Sequence, residues 1–418
     1  MPDINIPKGW KMTTLGAIAY DIAYGYTESA NLSPIGPKFL RITDIQGGII
    51  DWEAVPYCKI DERNYKKYKL DVGDLVIART GNSTGETAVI KKKVNAVFAS
   101  YLIRFKLNLD EINYNFISFL LHSKQWKNFV LSIKSGSAQG GANARQFSNF
   151  YINLPPKPEQ DAIASVLSSL DDKIELLREQ NKTLEAIAQA VYKRWFVDFE
   201  FPDEHSNPYK SSGGKMVKSE LGDIPEVWRT GKLGDIIDFK RKKIKENGEW
   251  QHQNLIALNY MPNFSMCINN FGRGSELKTN IYELDEYDLL YGSIRPYFGK
   301  AGFSPISGVV AGTVFQFIPY KKEYFGFALL VLTSKKFINY TIANSKGTKM
   351  PIIGKDDILD YKTFIPTINI LSGFNSIIQC LVKRIKNNIF QIQTLSKLRD
   401  SLLPGLMSGK IRVNGFGD

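Results

Sequence analysis

The longest regular pattern in the chain is an apolar residue at every seventh position. In "DAIASVLSSLDDKIELLREQNKTLEAIAQAVYKRWF" one seam runs Ile163, Leu170, Leu177, Leu184 and Val191, and a second runs Leu167, Ile174, Asn181, Ala188 and Trp195. A later stretch repeats the pattern, with Phe374, Leu381, Asn388, Leu395 and Leu402 beside Ile378, Ile385, Ile392, Arg399 and Leu406. A seven-residue period held over so many turns is that of a coiled-coil seam, not of a general amphipathic helix. It predicts helices over 159–197 and 370–403, with Pro404 stopping or kinking the second. Apolar seams must be buried, so the two helices are expected to pack on each other as an antiparallel intramolecular coiled coil. Asn181 and Asn388 interrupt the seams at the helix middles, where a buried polar residue commonly fixes register.

Ahead of each helix the apolar period shortens to two. "GDLVIA" (73–78) alternates like a strand, and 86–105, rich in β-branched and aromatic residues around Lys91, Lys92 and Lys93, reads as a hairpin. The two strand-rich regions are copies of one another. "IPKGWKMTTLGAIA" (6–19) returns as "IPEVWRTGKLGDII" (224–237), and "GDLVIARTGNSTGETAV" returns as "YDLLYGSIRPYFGKAGF". This sets Asp74 on Asp288, Leu75 on Leu289 and Gly85 on Gly299, while "INLPP" returning as "TFIPT" sets Pro155 on Pro366. The expected fold is α+β, with two similar strand-rich domains separated by two long helices. Its divisions are 1–155, a central helix over 156–201, a Gly/Ser/Pro-rich linker over 202–223, a second domain over 224–366, and a C-terminal helix and tail over 367–418.

Composition narrows the function. The longest apolar run, "FGFALLVL" (325–332), is far too short for a membrane span, and no signal pattern opens the chain, so a cytoplasmic protein without a membrane partner is expected. Cys58, Cys267 and Cys380 are isolated and read as buried apolar filler, with no metal site implied. The net charge of +12 favours a polyanionic partner. It is uneven: 1–204 carry 25 Lys+Arg against 24 Asp+Glu, and 205–418 carry 29 against 18, so the second half should grip an anion harder.

Gly81-Asn82-Ser83-Thr84-Gly85 satisfies G-x-S-x-G, which would make Ser83 the nucleophile of a hydrolase. That chemistry requires a helix directly after the serine, and an acid and a histidine further along; the sequence after Ser83 is strand-like, and His122, His205 and His252 lie in no catalytic context. The second copy has "SIRPYFGK" at this place, with no serine elbow. A loop that keeps its flanking strand and one glycine while exchanging its tip behaves as a recognition loop on a shared scaffold.

Four segments, "LPPKPEQDAIASVLSSLDDKIELL", "VYKRWFVDFEFP", "LGDIPEVWRTGKLGDI" and "LRDSLLPGLMSGKIRV", together resemble the specificity subunit of type I restriction-modification systems, in the right order around a duplicated domain. The resemblance implies a DNA-reading subunit with no catalysis and no cofactor of its own. It implies a bipartite target in double-stranded DNA, one half per domain, and assembly with two adenine methyltransferase subunits and two restriction motor-nuclease subunits. No Walker loop, glycine-rich cofactor loop or methyltransferase Asn/Asp-Pro-Pro-Tyr/Phe tetrapeptide is present. The alternatives are a Ser83 hydrolase, a fused methyltransferase, or a coiled-coil adaptor that does not bind DNA.

Base edges are read by Arg, Lys, Asn, Gln, Ser and Thr, and phosphates chiefly by Lys and Arg. Loop chemistry therefore nominates Arg79, Thr80, Asn82 and Ser83 with Gln139, Asn143 and Arg145 in the first domain. In the second it nominates Lys242, Lys243 and Lys245 as phosphate contacts, with Arg295, Lys300, Lys346 and Lys349.

Overall fold

The computed structural model describes residues 6–134, 141–244, 248–278, 280–413 and 415. The heptad stretches are single helices, Lys157–Phe196 and Ile368–Ser408. Every predicted seam position is buried or half-buried. Pro404 does not stop the second helix, which runs on through it to Ser408. The proline removes one main-chain donor, and the final turn is held instead by Leu406 and Met407, both buried in an apolar core.

The chain divides into two compact units, Met1–Lys173 with Leu395–Asp418, and Ile174–Thr394. This partition cuts across the boundaries expected from sequence, because each unit takes part of both long helices. In the second unit Trp195 packs on Phe374, while Asn388 Nδ2 donates to Asn181 Oδ1 at 2.9 Å, so the helices there run antiparallel. In the first unit Arg399 pairs with Asp171 at 2.7 Å. There too Glu159, almost wholly buried, accepts from Trp10 Nε1 and from the Arg412 guanidinium, tying both ends of the chain to the head of the mid-chain helix.

The sequence repeat is a repeat of topology. The first unit has an antiparallel sheet ordered Ala19–Tyr24, Leu102–Leu107, Leu75–Ala78, Thr87–Val89. The second has Ile237–Lys240, Val314–Pro319, Leu289–Gly292, Ala301–Phe303 in the same order. Each sheet is accompanied by a two-stranded antiparallel pair, Lys11–Thr14 with Tyr151–Leu154 and Arg229–Lys232 with Lys362–Ile365. Each also has two successive helices and a five-residue helix, at Tyr114–Leu121, Lys124–Lys134 and Ala144–Ser148, and at Phe325–Thr333, Lys335–Ala343 and Lys355–Leu359.

The aligned acids Asp74 and Asp288 have one task. Each closes the turn before its strand by accepting a main-chain N–H, from Asp71 and from Asp285, both at 2.9 Å. Burial raises both carboxyl pKa values, opposed by turn hydrogen bonds and by a lysine, Lys106 in one copy and Lys240 in the other.

Three local expectations are corrected. The stretch 86–105 is not one hairpin: Thr87–Val89 pairs back across the Ser83 loop with Leu75–Ala78, and Ala96–Phe98 lies parallel to Lys38–Leu40. The linker contains a strand, Met216–Ser219, paired with Gly222–Pro225. Cys380 is exposed, although Cys58 and Cys267 are buried. The run 325–332 is a buried core helix, and among the described residues no helix is long and apolar enough to cross a membrane.

Candidate nucleic-acid interface

Each unit presents two loops that meet. The first connects the central strand of the sheet to its edge strand, over 79–86 in one unit and 293–300 in the other. Both contain a glycine that the geometry requires. Gly85 has φ +90° and a Cβ there would lie 2.5 Å from Val130 Cγ1, while Gly299 has φ +57° and a Cβ would lie 2.6 Å from Phe264 Cδ1. The second loop precedes the five-residue helix. Ala142 N donates to Arg79 O at 3.0 Å, and Ile353 N donates to Ser293 O at 3.0 Å. Arg79 and Ser293 each stand directly after the central strand, so the same main-chain bond ties the two loops together in both copies.

The side chains on this common frame differ. In the first unit Arg79 is half-buried, with Nε donating to Ser100 O at 3.0 Å and its guanidinium against the Tyr24 and Tyr101 rings. Asn82 is exposed at the loop tip, with Thr80 and Ser83 half-buried beside it. Asn143 caps the short helix: its Oδ1 accepts from Gln146 N, and Gln146 Oε1 accepts from Asn143 N, both at 2.9 Å. That leaves its amide nitrogen as the group most available to a ligand. Arg145 is exposed two residues on. Gln139 lies outside the described residues.

In the second unit Arg295 is exposed, held in a left-handed conformation at φ 53° by its own N–H donating to Pro351 O. Lys346 and Lys349 are exposed on the second loop. Lys300 turns inward and donates to Leu258 O, and burial lowers its pKa. The basic run is not a free cluster of charge. Lys240 pairs with Asp285 and Asp288, Arg241 lies on the Tyr282 ring, and Lys242 pairs with Glu283 at 2.6 Å. Lys243 is exposed and forms no ion pair among the described residues, while Lys245 lies outside them.

Ser83 does not sit on a nucleophile elbow. The segment after it is the strand Thr87–Val89, not a helix, and Ser83 O accepts from Glu86 N at 2.8 Å in a closed turn. His122 places Nδ1 2.7 Å from Ser118 O, one turn back on its own helix. The other two histidines belong to the second unit. Tyr24 and Tyr101 were not singled out from sequence. Aromatic residues in strands read as core, and only the register shows that the two tyrosines flank Arg79.

Residues 7–186 match a family model described as a type I restriction modification DNA specificity domain. The type I restriction enzyme MjaIX specificity subunit of Methanocaldococcus jannaschii is 28% identical over 98% of this chain and 95% of its own length. The EcoKI specificity subunit of Escherichia coli is 26% identical over 43% of this chain and 42% of its own. A crystal structure of the type I S subunit from M. genitalium superposes with a TM-score of 0.58 at 14% identity, covering 97% of each chain.

Proposed function

We propose that the chain is a specificity subunit of a type I restriction-modification system, a reading supported by the DNA specificity domain matched over 7–186 and by its similarity to the MjaIX subunit, and that it reads a bipartite target in double-stranded DNA, one half-site per unit. The duplicated loop pair carries this reading: one main-chain bond fixes the same loop junction twice, and different side chains stand on it each time. A scaffold kept while its tips diverge is what two recognition sites for different sequences require. The subunit itself performs no catalysis and needs no cofactor. It acts in the cytoplasm as the scaffold for two adenine methyltransferase subunits and two restriction motor-nuclease subunits.

The loop tips supply mixed donors and acceptors, Thr80, Asn82 and Ser83 in one unit, and exposed cations, Arg295, Lys346 and Lys349, in the other. Mixed groups suit base edges, and the cations add phosphate attraction that weakens with salt. The test is a loop exchange in cells that carry the whole system. Replacing 80–84 with the sequence of 294–298 should change one half of the methylated adenine motif and leave the other half intact. Adenine methylation that continues unchanged, or that does not depend on this chain, would refute the reading.

A further inference from the structure

Arg79 is built as a fork with a fixed direction. Its N–H donates to Tyr101 O and its carbonyl accepts from Ala142 N, both at 3.0 Å, so the backbone is held on both sides. The guanidinium carbon lies 5.2 Å from the Tyr24 ring centroid and 5.9 Å from that of Tyr101. Tyr24 is itself pinned, because its hydroxyl accepts from Ala144 N at 3.0 Å. With Nε on Ser100 O, the plane of the group is set, and the two terminal nitrogens make no hydrogen bond to the described residues.

Resting on the DNA-reading function above, we propose that Arg79 is a specificity-determining residue that reads a guanine in the half-site of the first unit, its terminal nitrogens donating to O6 and N7 in the major groove. An arginine packed against two aromatic rings and anchored at Nε keeps two terminal nitrogens as donors, the pattern that a guanine edge accepts. Its neighbours favour a base over a phosphate, since Thr80, Asn82 and Ser83 carry no charge but offer both donors and acceptors.

Among the described residues, the equivalent position of the second unit has no such fork. Ser293 stands where Arg79 does, buried, with its hydroxyl donating to Thr313 O at 2.8 Å. Thr313 stands where Tyr101 does, preceding the residue paired with the end of the central strand. Arg241 lies 4.0 Å from the Tyr282 ring centroid, and its terminal nitrogens donate to Gly312 O and Val314 O. The fork at this position is therefore particular to the first unit.

The full-length chain, wild type and with Arg79→Ala or Arg79→Lys, is used to select duplexes from a random pool at two salt concentrations. Wild type should enrich a G·C pair at one fixed position. Arg79→Ala should lose that preference roughly 5- to 150-fold while preferences elsewhere persist. Arg79→Lys should recover only part, having no fork. The second half-site serves as an internal control for folding. An even loss over all sequences, with a salt slope smaller by about 0.9, would make Arg79 a phosphate contact and overturn the proposal. An unchanged preference at every position would also overturn it. A wild-type chain that enriches no sequence would defeat the underlying DNA-reading function, a different result from either.

Discussion

Removing the amide of Asn388 should destabilise the second unit by more than the group it deletes. Asn388 and Asn181 are 2% and 3% exposed, and the 2.9 Å bond between them is the amide contact across the seam. Asn181 Nδ2 is already buried with no partner among the described residues. With Asn388→Ala, Asn181 Oδ1 loses its donor too, and an orphaned buried polar group costs about 1–3 kcal/mol, with a cavity term added. Replacing both with leucine removes the orphans and fills the seam with a side chain of similar volume. The double variant should therefore be at least as stable as wild type, with a coupling energy of about 1 kcal/mol or more in the double-mutant cycle. Urea unfolding followed by helical circular dichroism measures all four proteins. The double-leucine seam has lost its polar register mark, so size-exclusion chromatography with light scattering should reveal species paired between chains. If Asn388→Ala costs less than about 0.5 kcal/mol, as an ordinary surface change does, or the two single effects simply add, the bond does not hold this seam.

Arg412→Ala should cost roughly 2–4 kcal/mol, somewhat less than a fully buried pair because the arginine is partly exposed, and adding Glu159→Gln should restore part of it in thermal melts. Burial pushes Tyr291 and Tyr361 up to about 12, and Tyr192 higher still. Above about pH 10 the unfolded chain releases tyrosine protons that the folded chain keeps, so stability is full below that pH and falls through the window to about 12, by up to about 3 kcal/mol per tyrosine. The part of the tyrosinate absorbance that Tyr291→Phe removes should appear together with loss of structure in the second unit; if that part precedes unfolding, the burial is contradicted. Gly85→Ala should destabilise more than Gly81→Ala, because both have positive φ but only Gly85 meets Val130, and equal melting temperatures would remove Val130 from the explanation.

The long helices and the duplication were legible because both are periodic. Seam positions recur every seven residues, and the aligned aspartates, prolines and glycines recur at equivalent turns. Asp74 and Asp288 show why alignment worked: a turn closed by a buried carboxylate tolerates few replacements. What could not be read was pairing at a distance. Nothing near Lys240 in sequence says that Asp288 neutralises it, and Lys300 looks like a surface charge until Leu258 O is found beneath it. The Asn143-x-x-Gln146 capping box was a readable signal, and it explains why that asparagine has its oxygen engaged within its own loop. The meeting of the two loops depends on main-chain bonds, one of them common to both units, which no side-chain pattern encodes. The exchange of strand partners after Thr87 escaped for a similar reason, since a β-rich run announces strands without naming their neighbours.

The first unit takes its last segment from beyond the second, with Leu395–Asp418 joining Met1–Lys173. On a ribosome the last residues of its core, Leu406 and Met407, which share that core with Ile163, Ala164 and Leu167, are made about 230 residues after Lys173. At roughly 5–20 residues per second the wait is about 12–46 s. Throughout that interval the nascent first unit carries an uncovered apolar strip, while the second unit already has its whole sequence by Thr394. The unit that is begun first is thus completed last. A stall between codons 395 and 406 would leave a finished second unit attached to an open first one, the state in which a chaperone would be needed.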